Sequence, residues 1–246
     1  MEESIRRSYI LTASDIDGHR RLRLSSLLSF LQNIATDHAE ILGIGGDRMM
    51  EEYGAFWMMV RSYLSLQRPI TLADEVVTIH TWHRGVGKTA TVFRDFDIYV
   101  GDELVGEAVA SWVMVDIAAR RILKPGSLSA VVNSLRPETV KDIIPAKVSM
   151  PEELTEAFRR SVWYSDTDIN GHMNNTKYAD VACDAIRYER CGDRFVSEMQ
   201  ISYLKESFPG DELCVLTASL GDDCFVRGVD DAGEARFEVR LGLSEV

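Results

Sequence analysis

The feature of this sequence that most constrains its fold is an internal repeat. The segment DIDGHRRLRLSSLLSFLQ at residues 15–32 is similar to DINGHMNNTKYADVACDA at residues 168–185. A second pair follows in the same order, because RSYLSLQRPITLADEVV at residues 61–77 is similar to ISYLKESFPGDELCV at residues 201–215. Two matches in the same order and at similar spacing indicate that the chain contains two copies of one ancestral unit.

Each copy has the pattern of a helix followed by several strands. After the Asp-Ile-x-Gly-His motif, apolar residues recur at helical spacing, from Leu24 to Leu42 in the first copy and from Tyr178 to Ile186 in the second. Segments rich in β-branched and aromatic residues then alternate with turn-forming residues, which is typical of antiparallel strands. The pattern predicts an α+β fold with two sheets, each curled around the helix of its own copy.

Proline marks the boundary between the copies. Three prolines fall within residues 125–150, and proline interrupts regular structure because it lacks a backbone N–H and has a fixed φ. We therefore predict an N-terminal domain over residues 1–125, a linker over residues 126–150 and a C-terminal domain over residues 151–246.

Charge and composition restrict the function classes. The net charge of −12 and the pI of about 4.9 argue against a nucleic-acid partner, since that binding depends on neutralising phosphates. The N-terminal residues lack the apolar run of a signal peptide, and no stretch approaches the roughly 20 apolar residues of a membrane span. We therefore expect a cytoplasmic protein with no membrane partner. The four cysteines form no C-x-x-C pair, so no metal site or other cofactor is predicted.

The second copy carries a set of polar residues that suits catalysis. Asp168, Asn170 and His172 are separated by one residue each, and in an extended chain such residues point to the same side. Gly171 permits an unusual dihedral angle, and the N–H groups at the start of the following helix suit a developing oxyanion. The alternative is a hydrogen-bonded turn before a helix, which the first copy makes plausible because Asp17 replaces the amide there.

An acid in the second repeat segment is a further candidate. Aligning Pro69 with Pro209 places Glu206 opposite Leu66, inside what reads as an apolar strand. A glutamate facing the core is costly unless it is paired or accepts a proton. A position on the outer face of the sheet is the alternative, and the sequence pattern leaves both readings open.

Taken together, the segments resemble acyl-acyl carrier protein thioesterases of plants and their bacterial relatives. The resemblance covers nearly the whole chain and rests on LQNIATDHAEILG, TWHRGVGKTATVFRDFDI, SWVMVDIAARRILK, DTDINGHMNNTKY and ISYLKES. It implies a tandem, or double, hotdog fold in which each domain is a long helix wrapped by a curved antiparallel sheet. This expectation agrees with the repeat found from the residues themselves.

The resemblance also implies an activity and its residues. The expected reaction is hydrolysis of the thioester between a fatty acyl chain and acyl carrier protein, which is the implied partner. The C-terminal domain would carry the catalytic residues Asp168, Asn170, His172 and Glu206. The N-terminal domain would hold the acyl chain, with pocket depth set around residues 56–59. Many plant members have cysteine after the strand glutamate, whereas Ser207 follows here, which excludes a cysteine nucleophile at that position.

The implied mechanism is attack of water on the thioester carbonyl. Glu206, together with His172, would act as general base, Asn170 would hold the carbonyl oxygen and Asp168 would orient the set. The sequence does not decide which of His172 and Glu206 takes the proton. It also leaves open an acyl-coenzyme A thioesterase, an enoyl-thioester hydratase or a non-catalytic acyl-binding protein of the same fold, and either a pseudo-dimeric monomer or a homodimer.

Overall fold

The computed structural model of the chain describes residues 4–86, 90–123 and 142–246, so residues 126–141 of the predicted linker lie outside the described part. The helices are α1 (Leu24–Ile41), α2 (Gly46–Tyr53) and α3 (Lys177–Ala185). The strands of the first half are β1 (Ser4–Ile10), β2 (Ala55–Leu66), β3 (Val76–Val86), β4 (Val92–Val100), β5 (Glu103–Asp116) and β6 (Arg121–Leu123). Those of the second half are β7 (Thr155–Ser161), β8 (Arg194–Tyr203), β9 (Glu212–Leu220), β10 (Asp223–Val229) and β11 (Ala235–Glu245).

The described strands form one antiparallel sheet of 11 strands in the order β1-β3-β4-β5-β2-β8-β11-β10-β9-β7, with β6 paired to β5. The expectation of two separate sheets was wrong, because β2 pairs directly with β8 and joins the halves. Outward from this junction, the strand order of one half repeats that of the other. The α+β double hotdog fold is thus confirmed, with a pseudo-two-fold axis through the centre of a shared sheet.

Alternation along β2 and β8 separates an inner face from an outer face. Leu64 pairs with Met199, and both are buried in the core, whereas Tyr63 pairs with Gln200 on the opposite face. The helices cover the inner face and contact each other there. Their buried residues recur at helical spacing: Leu27, Leu28, Leu31 and Ile34 in α1, and Tyr178, Ala179, Ala182 and Ala185 in α3. Helix α1 has 18 residues and α3 has 9, so the second helix is the shorter one.

The described end of the predicted linker runs across the junction of the halves. The Gln200 side chain donates to the Ala146 carbonyl, and the Val148 N–H donates to the Ser202 hydroxyl at 3.2 Å. Val148 is itself buried. This segment therefore covers part of β8 where it meets β2.

Backbone hydrogen bonds align the two copies differently from the sequence motifs. The Asp17 N–H donates to the Arg21 carbonyl at 2.8 Å, and the Asp168 N–H donates to the His172 carbonyl at 3.0 Å. His172 therefore corresponds to Arg21 rather than to His19, and the motif alignment was wrong by two residues. The physical reason is that main-chain hydrogen bonds define the turn, and these bonds can form with many different side chains. Similar side chains therefore need not lie at equivalent positions of the two turns.

The second pair of segments shows a similar shift. The Leu22 N–H donates to the Ile70 carbonyl at 2.7 Å, and its counterpart, the Met173 N–H, donates to the Ser207 carbonyl at 2.8 Å. Ser207 thus corresponds to Ile70, and Glu206 corresponds to Pro69. The expectation that Glu206 stands opposite Leu66 was wrong, because the shared Ser-Tyr-Leu letters lie three residues out of register.

The two equivalent turns predict opposite effects of glycine. Arg20 has φ 64° and Gly171 has φ 79° at corresponding positions, and a left-handed backbone costs a non-glycine residue about 1–2 kcal/mol. Because glycine loses about 0.5–1 kcal/mol through unfolded-state entropy, Arg20→Gly should raise the free energy of unfolding slightly. Gly171→Ala should lower it by about 1 kcal/mol, since its new Cβ meets no atom within 4 Å and only the strain remains. Denaturant unfolding of both variants measures this, and shifts of the same sign would contradict it.

Candidate active site

The segment from Asp168 to His172 is a tight turn. The Asp168 N–H donates to the His172 carbonyl at 3.0 Å, and the Gly171 N–H donates to the Asp168 carbonyl at 3.0 Å. The expectation of an extended chain was therefore wrong, and the hydrogen-bonded turn that the sequence left as an alternative is present. The turn still brings Asp168 and His172 together, because it folds the chain back on itself.

His172 lies between two carboxylates. Its Nδ1 is 3.9 Å from Oδ1 of Asp168, and its Nε2 is 3.8 Å from Oε1 of Glu206. The imidazole is 21% exposed and the Glu206 side chain is 47% exposed, so substrate can reach both. Both separations exceed a direct hydrogen bond, but such contacts commonly tighten when substrate binds. The geometry therefore suits proton transfer between an acid and an imidazole at a solvent-accessible surface.

Glu206 reaches His172 from a loop rather than from a strand. Strand β8 ends at Tyr203, and the N–H groups of Leu204 and Lys205 both donate to the Arg236 carbonyl, at 2.9 and 3.1 Å. The prediction of a strand position was therefore wrong, because the chain leaves the sheet after Tyr203. The Arg236 guanidinium donates to the Glu206 carbonyl, which holds the loop where its carboxylate faces the imidazole.

Ser207 points away from the site. Its side chain is completely buried and lies against the Tyr178 phenol, whose pKa is raised chiefly by burial. The residue that follows the candidate acid therefore packs inside the domain. Its role here is structural, because its carbonyl accepts the Met173 N–H and ties the Glu206 loop to the turn.

Asn170 stands at the tip of the turn. Its backbone N–H donates to Oδ1 of Asp168 at 2.8 Å, and the residue is exposed. The carboxylate of Asp168 is thereby held by the turn it belongs to, on the side facing His172. Among the described residues, the structure thus brings Asp168, His172 and Glu206 together, whereas the Asn170 side chain makes no hydrogen bond to them.

A cleft leads inward from the end of this segment. Asn175 and Thr176 form one end, and the Tyr203 hydroxyl donates to the Asn175 carbonyl at 3.2 Å. The other walls come from the first half and are mainly apolar: Leu28, Leu31, Ala35, Met59, Phe96, Ala108, Ala110 and Trp112. The cleft, of about 30 Å³, therefore spans both halves, from Asn175 and Thr176 to the face of α1, and none of the four predicted catalytic residues lines it.

Sequence reasoning found only part of this cleft. Of residues 56–59, Met59 lines it, whereas Trp57 donates from its indole nitrogen to the Ile44 carbonyl at 2.9 Å and packs in a separate small core. Tyr203 was missed as a lining residue. Its counterpart in the first half is Leu66, and the exchange of leucine for a residue with a hydroxyl was the signal available in the sequence.

The corresponding place in the first half lacks the candidate machinery. A cavity of about 290 Å³ lies there beside Asp17, Leu27 and Pro69. Arg21 replaces His172 and donates to the Arg194 carbonyl, and Pro69 replaces Glu206. This cavity is the more spacious of the two, but it has no imidazole at the position of His172 and no acid at that of Glu206, so cavity size does not locate the chemistry.

The described residues contain neither a cluster of metal-ligand side chains nor a membrane-spanning helix. Within residues 4–86, 90–123 and 142–246, no three histidine, cysteine or acidic side chains group as metal ligands. None of the helices in these ranges combines the length and apolar character needed to cross a bilayer.

Comparison with known proteins supplies the family. Residues 2–125 match the family model of the acyl-ACP thioesterase N-terminal domain, and residues 150–242 match that of the acyl-ACP thioesterase C-terminal domain. An oleoyl-acyl carrier protein thioesterase of Coriandrum sativum is 22% identical over 245 residues, which cover 89% of this chain and 64% of the relative. A palmitoyl-acyl carrier protein thioesterase of Arabidopsis thaliana is 24% identical over 256 residues, which cover 98% of this chain and 60% of the relative. The chain thus spans less than two thirds of the length of these plant relatives.

Solved structures share the fold over the full chain. An acyl-ACP thioesterase from Bacteroides thetaiotaomicron superposes with a TM-score of 0.79 at 20% identity and covers 98% of both chains. The 12:0-ACP thioesterase from Umbellularia californica superposes with a TM-score of 0.78 at 17% identity, covering 100% of this chain and 99% of the other. With both of its halves matched by the family models, the chain belongs to the acyl-ACP thioesterase family.

Proposed function

We propose that this protein hydrolyses fatty acyl thioesters of acyl carrier protein and releases a free fatty acid and holo carrier protein. The observation that carries the proposal is the His172 imidazole, which has a carboxylate on each side at 3.9 and 3.8 Å. An apolar cleft of about 30 Å³ reaches Asn175 and Thr176, a few residues after His172, and it would hold the acyl chain only after its walls move apart. Membership of the family supports the same reaction.

The reaction begins with water at the exposed side of His172. The water oxygen attacks the thioester carbonyl carbon, and its proton passes to the Glu206 carboxylate, directly or through His172 Nε2. Collapse of the tetrahedral intermediate breaks the carbon–sulfur bond, and the departing sulfur takes up the proton. Asp168 beside Nδ1 stabilises positive charge on the imidazole while the proton is in transit.

The negative charge on the carbonyl oxygen needs donors of its own. Asn170 is exposed at the tip of the turn, whereas the Thr176 and Lys177 N–H groups at the start of α3 already donate to Asn174. Donors held in place before the reaction stabilise a developing oxyanion without reorganisation. Asn170 therefore takes the role of oxyanion donor in the proposal.

A thiol-release assay tests the proposed function directly. One acyl chain is presented on acyl carrier protein and on coenzyme A, and free thiol is followed with a dye. We expect release from both carriers, with the higher kcat/KM for acyl carrier protein. A preference for coenzyme A would favour the acyl-coenzyme A alternative, and absence of thiol release from either would favour a non-catalytic acyl-binding protein.

Removing either member of the acid–imidazole pair should abolish most turnover. His172→Ala and Glu206→Gln should each lower kcat by about 10²–10⁴-fold, the usual contribution of a general base. His19→Ala is the matched control, since this imidazole lies in the equivalent turn and contacts the Tyr188 carbonyl at 3.2 Å. Circular dichroism verifies the fold of each variant, and near-wild-type rates in both site variants would refute the assignment.

Narrowing the cleft should shorten the preferred acyl chain. Ala35 lines the cleft from α1 and is buried, so Ala35→Met occupies space that the far end of a chain would use. A methylene that no longer fits costs roughly 10–200-fold in kcat/KM, and we expect a loss in that range for the longest accepted chain. Cys183→Met fills the other cavity and serves as control. Equal changes for short and long chains in Ala35→Met would contradict the placement of the chain.

A further inference from the structure

Four large apolar side chains on the turns next to the candidate active site face solvent. We call Trp163, Tyr164, Ile169 and Phe208 the apolar collar. Their exposed fractions are 63%, 91%, 102% and 46%. Ile169 lies between Asp168 and Asn170 in the turn, and the Phe208 ring stands edge-on to the His172 ring at 6.4 Å.

The backbone holds these side chains outward. The Trp163 N–H donates to Oδ2 of Asp166 at 2.8 Å, and Arg160 contacts the same carboxylate. The Phe208 N–H donates to Oδ2 of Asp211 at 2.9 Å. Trp163 and Phe208 are therefore exposed on turns that hydrogen bonds hold in place.

The first half shows that the fold does not need these side chains. The Thr12 N–H donates to Oδ2 of Asp15 at 3.0 Å, and the Thr71 N–H donates to Oδ2 of Asp74 at 2.7 Å, as in the equivalent turns of the second half. The residues that correspond to the collar are small or polar: Thr12, Ala13, Gly18 and Thr71. The same turns thus form without large apolar groups, and the collar is found only in the half that has the candidate catalytic pair.

Exposed apolar clusters of this kind mark binding surfaces, and aromatic side chains dominate the energetics of such contacts. None of the four collar residues lines the apolar cleft between Asn175, Thr176 and α1, so the collar and the cleft are separate apolar surfaces. An anionic lipid surface would need free cations beside the collar to hold its headgroups. The cations next to the collar in sequence, Arg160 and Lys205, are instead paired with Asp166 and Glu234.

We propose that the apolar collar is the docking surface for the carrier protein that delivers the thioester. This inference rests on the proposed function, since the carrier must stand over the mouth of the site while its thioester reaches His172. The collar is continuous with that site through Phe208 and Ile169. Contact through apolar side chains places the carrier body on the rim and leaves the centre open for the arm that bears the acyl chain.

The test separates docking from chemistry by changing the two collar residues that do not flank the catalytic pair. Trp163→Thr/Tyr164→Ala introduces the residues of the first half at positions where its backbone forms the same turn. One acyl chain is presented on acyl carrier protein and on N-acetylcysteamine, which has the thioester but no protein. We expect KM for the acyl carrier protein substrate to rise about tenfold or more, with the N-acetylcysteamine thioester hydrolysed within about twofold of wild type.

Ile10→Thr is the control, since Ile10 is 76% exposed on the distant edge strand β1, and it should change neither substrate. Tyr164→Ala alone provides a milder variant, and thermal unfolding verifies the fold of each. An equal loss on both substrates, or no loss on either, would overturn the docking proposal.

Other occupants of the collar are tested with the same proteins. Binding to vesicles of anionic phospholipid, or self-association in sedimentation equilibrium, overturns the proposal if the double variant loses it while keeping wild-type KM for acyl carrier protein. The failure of the proposed function looks different: wild-type protein would then release thiol from neither substrate. If wild type cleaves both and the double variant is unchanged, only the docking proposal fails.

Discussion

The pairing of β2 with β8 is the contact on which the remaining architecture depends. These long strands would each be an exposed edge in an isolated half, and exposed edges are prone to unwanted pairing. Their pairing forms one continuous sheet and sets α1 beside α3 on its inner face. The cleft takes α1 from one half and Asn175 and Thr176 from the other, so it exists only because the junction fixes both halves together.

Because the two halves share the same backbone turns, their side chains can differ without changing the fold. The same main-chain hydrogen bonds close both turns, and they are satisfied whatever side chains the turns carry. One turn presents an imidazole between two carboxylates, with large apolar groups around it. The other ties Arg21 to a backbone carbonyl and has no imidazole at that position. Each half therefore contributes what the other lacks: one the polar set, the other most of the cleft walls.

The sequence was sufficient to predict the repeat and the fold class, and the family resemblance added Glu206 to Asp168 and His172 as one set. It was not sufficient to predict the register of the repeat. Similar residues lie two positions away from the structurally equivalent ones in the first pair of segments, and three positions away in the second pair. Arg20 illustrates why: it takes a left-handed conformation where the second copy has glycine, so the residue type there does not report the backbone.

The sequence did not predict the loop position of Glu206 for a related reason. Its flanking residues have strand-like composition, but the N–H groups of Leu204 and Lys205 share a single carbonyl acceptor and turn the chain off the sheet. Pairing of this kind depends on a strand that lies far away in sequence. The sequence pattern predicts the alternation of buried and exposed residues along a strand. It does not predict the residue at which the strand stops pairing with its neighbour.

Proline at position 69 makes the specialisation of the two halves hard to reverse. A mutation there to glutamate would restore an acid, but Arg21 would still stand where the imidazole is needed, held by the Arg194 carbonyl. Replacing Arg21 alone would leave that carbonyl without its donor and would yield no partner for the new side chain. Both changes would be needed together before the first half carried the acid and imidazole that the second half has in Glu206 and His172.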